Sequence, residues 1–113
     1  MSLTLEDESA IKSLREQSEL KKSLVRLRNN ADFKKLFGEF LFKNHLAELM
    51  IVNATEELTP QVRQEAMDSA KSIARFRHTL EHIYAMGERA EQELAGYVSE
   101  AERLDAINLS EGQ

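Results

Sequence analysis

From Thr59-Pro60 to about Ala106 the chain repeats apolar positions at alternating steps of three and four. They are Ala66, Ser69, Ile73, Phe76, Leu80, Ile83, Gly87, Ala90, Leu94, Tyr97, Ala101 and Leu104, and only Ser69 and Gly87 depart from the apolar series. A seven-residue repeat held over about five heptads is how a helix marks a seam for another helix. Thr59 is placed as the N-cap and Pro60 as the first helical residue, where the missing amide proton costs nothing. The pattern predicts one helix over about 60–106, on the order of 70 Å long at ~1.5 Å rise per residue. Gly87 could bend it and close a four-helix bundle. Glycine alone is a weak break, costing about 1 kcal/mol relative to alanine, and no cap or loop follows it. With Ala85 and Ala90 nearby, Gly87 reads instead as a close helix crossing.

Two shorter helices precede this one. Thr4 with Asp7 three residues on resembles a capping box, and Ile11, Leu14, Leu20, Leu24, Val25 and Leu27 then form a sparse stripe up to Arg28. Asn30 is placed to cap a second helix over about 31–52, with Asp32 in the first turn, where the helix dipole favours negative charge. That helix holds Phe33, Phe37, Phe40 and Phe42, and its apolar arc is wide. Such an arc predicts burial from more than one side, making this helix the hydrophobic heart of the fold. Residues 53–58 read as a loop and 107–113 as a polar tail. The predicted fold is all-α, one domain over 1–113. The long C-terminal helix forms a helical hairpin with the two shorter helices laid along it, and copies associate as an oligomeric bundle or coiled coil.

Composition supports this architecture and removes several function classes. The 113 residues include no cysteine, one proline and four glycines. Disulfide frameworks, thiolate nucleophiles and sulfur-ligated zinc are therefore excluded. The acidic start lacks the basic and apolar regions of a signal peptide, and no stretch approaches the ~20 apolar residues of a membrane span. The expectation is a protein of the cytoplasm with no membrane partner, so Asn53-Ala54-Thr55 reads as a chance glycosylation triplet. The formal net charge is −5, unevenly spread. Residues 12–43 carry nine Lys and Arg against four Asp and Glu, and residues 44–113 carry six against thirteen. Such polarity suits self-association or a charged partner.

Candidate chemistry is sparse. His78-Thr79-Leu80-Glu81-His82 spells H-x-x-E-H, in which two histidines one turn apart can hold zinc beside a water-activating glutamate. A zinc protease also needs a third ligand and a cleft, and Leu80 belongs to the seam, so these histidines read as solvated neighbours of packing positions. Lys21, Lys22, Arg26, Arg28, Lys34 and Lys35 form the densest basic cluster, with Phe33 and Phe37 nearby. They are the candidate contacts for nucleic acid or an acidic partner. The carboxylates at Glu56, Glu57, Glu88, Glu91 and Glu93 lack a pocket-forming strand or glycine loop and read as solvated surface. No catalytic, cofactor-binding or metal-binding residue is assigned, no cofactor is implied, and the chain is expected not to be an enzyme.

Two stretches carry a resemblance. They are Leu24-Val25-Arg26-Leu27-Arg28-Asn29-Asn30-Ala31-Asp32-Phe33-Lys34-Lys35-Leu36, and Leu58-Thr59-Pro60-Gln61-Val62-Arg63-Gln64-Glu65 with its continuation through Met86-Gly87-Glu88-Arg89-Ala90-Glu91. Their order resembles small all-helical proteins encoded near the virion genes of tailed bacteriophages, over most of residues 24–94. The resemblance implies a self-associating helical protein in phage particle assembly or structure, in the host cytoplasm or the particle, with other phage or host proteins as further partners. The expected interface is Phe33, Phe37, Phe40, Ile73, Phe76, Leu80 and Ile83, extended by Leu94, Tyr97 and Leu104. The alternative is a small regulator that docks through its basic N-terminal half on a host or phage enzyme or on nucleic acid.

Overall fold

A computed structural model describes residues 4–111. It is 92% helix, with no strand among the described residues. Helix α1 spans Leu5–Arg28. A second, composite helix follows: α2 covers Ala31–Phe33, a π-helical segment covers Lys34–His45, and α3 covers Leu46–Ala54. Helix α4 spans Pro60–Glu111, passing through Gly87 uninterrupted and continuing past the expected stop at 106. Residues 107–111, expected as polar tail, are therefore helical. Residues 112 and 113 lie outside the described residues.

Local chemistry sets the starts. Thr4 and Asp7 exchange hydrogen bonds, Asp7 N–H to Thr4 Oγ1 at 3.0 Å and Thr4 N–H to Asp7 Oδ2 at 3.2 Å, closing the capping box of α1. Phe33 N–H donates to Asn30 Oδ1 at 3.0 Å, and Val62 N–H to Thr59 Oγ1 at 3.3 Å. All three caps satisfy amides that have no partner inside their own helix.

Packing divides the chain into two compact units, residues 24–82 and residues 1–23 with 83–113. In the first unit the composite helix runs antiparallel to α4. Arg63 Nε donates to the Asn53 carbonyl at 3.0 Å, satisfying an orphan carbonyl in the last turn of α3, and rings of the π segment meet Phe76 further along. Leu24, Ala66, Ala70 and Ile73 are its buried apolar residues. Ala70 takes the position expected of Ser69, which is exposed. In the second unit α1 runs antiparallel to α4, with Ser18 opposite Glu91 and Lys21 opposite Gly87. Along α4 in this unit, Gly87 and Ala90 are buried, and Ile83, Leu94, Tyr97, Ala101 and Leu104 are half-buried. Of the expected seam, Ser69 and Phe76 are exposed and the other positions are buried or half-buried.

The composite helix corrects the expectation of a central buried helix. None of its residues from Ala31 to Ala54 is buried. Leu36 is 59% exposed, Phe40 52%, Met50 51% and Ile51 66%. Only one side of the arc is covered by the chain itself.

Candidate functional site

The π segment decides which aromatic residues meet. In an α-helix, with 3.6 residues per turn, side chains five positions apart point roughly 140° away from each other. With i→i+5 hydrogen bonding, five positions complete about one turn. Phe37 and Phe42 therefore share a face, with ring centroids 6.4 Å apart, and both meet Phe76 of α4, at 5.8 and 5.7 Å. Phe33 stacks on Phe37 at 4.8 Å. Such tilted and offset rings gain about 0.5–1.5 kcal/mol per pair beyond area burial. Phe40, grouped with Phe33 and Phe37 on α spacing, turns to a different side and stacks on His45, five residues on, at 5.4 Å. Sequence reasoning left Phe42 out of the aromatic contact set, and the only available signal was its five-residue spacing from Phe37.

Beside this cluster lies a groove of about 280 Å³. Phe33, Phe42 and Leu80 supply its apolar lining, Gly38 opens its wall, and Arg28, Lys34, Arg77 and Glu81 supply its charges. Glu81 forms an ion pair with Arg77, Oε1 lying 3.3 Å from Nε, and both side chains are more than half exposed. The glutamate of the H-x-x-E-H pattern is thus engaged by an arginine one turn away, and His78 and His82 are exposed. Among the described residues, no group of three or more His, Asp or Glu is placed to hold a metal ion.

The second unit holds a polar knot at the α1–α4 crossing. Lys21 Nζ lies 2.7 Å from Glu88 Oε1 and 2.8 Å from Glu91 Oε2, and 5.2 Å from the Tyr84 ring centroid. Ser18, itself buried, donates from Oγ to Glu91 Oε1 at 3.2 Å. The hydrogen bond to Glu88, then that to Glu91, raises the Lys21 ammonium well above the ordinary lysine range. In return, the Lys21 hydrogen bond holds both carboxyls below theirs, with Tyr84 assisting at Glu88 and Ser18 at Glu91. The Lys21 side chain is 13% exposed, which confines its charge to this crossing.

The expected basic cluster is accordingly divided. Lys21 is held in the knot, Lys22 pairs with Glu19 at 3.3 Å, and Arg28 and Lys34 line the groove. Lys35 is exposed, and Arg26 is engaged by a further contact. Of the expected interface residues, Phe33, Phe37, Phe76 and Leu80 come together around the aromatic cluster and its groove, whereas Ile73 is buried in the chain's own packing. Along α4 of the second unit, Tyr97 lines a shallow depression with Glu93, Gly96 and Glu100. No helix among the described residues is long and apolar enough to cross a membrane. Set against known proteins, the chain matches no family model, and no curated protein or solved structure is detectably similar to it.

Proposed function

We propose that this chain is a non-enzymatic helical protein that works by associating with copies of itself. The observation that carries the reading is the composite helix, apolar over a wide arc and yet without one buried residue. A helix of that composition, left as it stands, holds Leu36, Phe40, Met50 and Ile51 in water. Large apolar side chains exposed in this number on one helix point to an interaction site. A role in phage particle assembly, in the host cytoplasm, rests on the sequence resemblance and supplies a setting in which helical subunits cover one another's apolar faces.

The test is mass against concentration by sedimentation equilibrium, for the natural chain and for Leu36→Lys with Ile51→Lys. Both positions are solvent-exposed in the single chain, so the double variant keeps its helicity and melting behaviour while its mass falls below that of the natural chain. A natural chain that stays monomeric at the highest concentrations reached would refute the reading.

A further inference from the structure

Resting on that self-association, we propose that a second copy of this chain seats its Glu93–Tyr97–Glu100 stripe on the groove formed by Phe33, Phe42 and Leu80. The two surfaces match in charge. The groove brings Lys34 and Arg77 together with one carboxylate, Glu81, which Arg77 already engages at 3.3 Å, and Arg28, which has a contact of its own, lies beside them. The stripe belongs to the acidic end of α4, where residues 84–111 hold seven Asp and Glu against Arg89 and Arg103. Glu93, Tyr97 and Glu100, at i, i+4 and i+7, share one helix face and line one depression. A ring flanked by two carboxylates faces an aromatic slot flanked by cations, so Tyr97 finds Phe33 and Phe42 while Glu93 and Glu100 find Lys34 and Arg77. Glu100 also contacts Arg103 at 2.6 Å; that pair is exposed and remains at the rim.

Two glycines support the same contact independently of charge. Gly38 lines the groove and Gly96 lines the depression, and a Cβ built on either one meets nothing within 4 Å. Both lie inside helical segments, where glycine is the poorest residue short of proline. The chain's own packing requires neither. Close approach of a second backbone or ring does.

The test compares the natural chain, Lys34→Glu with Arg77→Glu, and Glu93→Lys with Glu100→Lys by sedimentation velocity at low salt, where screening is weakest. Each double variant should raise the dissociation constant at least tenfold, and an equimolar mixture of the two should recover association through the reversed pairing. Gly96→Gln is the folding control. It improves helix propensity and has free space in the single chain, so association lost in this variant is association blocked. If the natural chain associates while Lys34→Glu with Arg77→Glu, or Gly96→Gln, associates equally well, the docking proposal is overturned and self-association stands. If the natural chain never associates, both fall.

Discussion

Gly87 of α4 lies directly against Lys21 of α1, so close that a methyl group on Gly87 would fall on the Lys21 Cβ, with Cγ and Cδ also only 3.0 Å away. A Cβ is fixed to its backbone and cannot swing aside as a side-chain tip can. The absence of a side chain at 87 is therefore what permits α1 to approach this closely, and the close approach brings the Lys21 ammonium to Glu88 and Glu91.

Gly87→Ala should destabilise the protein. Overpacking of this kind costs about 1–3 kcal/mol and outweighs the gain of up to ~1 kcal/mol from replacing glycine inside a helix. Gly96→Ala, with nothing within 4 Å of the new Cβ, should instead stabilise it by roughly 0.5–1 kcal/mol. Thermal melts of the two variants moving in opposite directions is the expected result. A rise in the melting point of Gly87→Ala would remove the close crossing as the reason for that glycine.

The knot makes stability fall in acid. Glu88 and Glu91 titrate below their ordinary range in the folded chain because Lys21 hydrogen-bonds their charged forms. A group with a depressed folded pKa contributes stability above its unfolded value, about 4.3 for glutamate, and loses it as pH falls through the folded value. The raised Lys21 contribution is complete below the lysine value of about 10.4 and is lost only as pH rises through the higher folded value. Stability should thus be level across neutral pH and decline below about pH 4.3. Lys21→Met should lower it at pH 7 and flatten the acid limb, as denaturant titrations at pH 3 to 7 would measure. An unchanged acid limb in Lys21→Met would count against the knot.

The aromatic cluster ranks its members. Phe37 contacts the rings of Phe33, Phe42 and Phe76, whereas Phe40 touches only His45 among the aromatic rings described and is 52% exposed. Phe37→Ala should cost about 3 kcal/mol, the low end for a phenylalanine truncation, because Phe37 is only half-buried. Phe40→Ala should cost less than about 1 kcal/mol, as surface positions do. Chemical denaturation of the two variants measures the difference. Equal costs would indicate α-helical spacing from Lys34 to His45, with Phe40 returned to the cluster.

The sequence by itself determined the helices and their starts, because capping and heptad packing are relations between residues three or four apart. Thr4 with Asp7, Asn30 and Thr59 could be read as caps without any knowledge of the fold, and the face of α4 from Ile83 to Leu104 followed from its period. Gly87 was legible as a close crossing, but not the residue crossing it. Tertiary structure alone placed Lys21 against Glu88 and Glu91, some seventy residues away in the chain, since nothing local distinguishes those carboxylates from Glu93 on the same helix. It alone exchanged Ser69 for Ala70 in the packed face. It also decided the turn of the second helix: α and π hydrogen bonding use the same backbone groups and leave no mark in composition. What separates them here is that i→i+5 spacing lets Phe37 and Phe42 reach Phe76 together, and that pairing depends on where α4 lies.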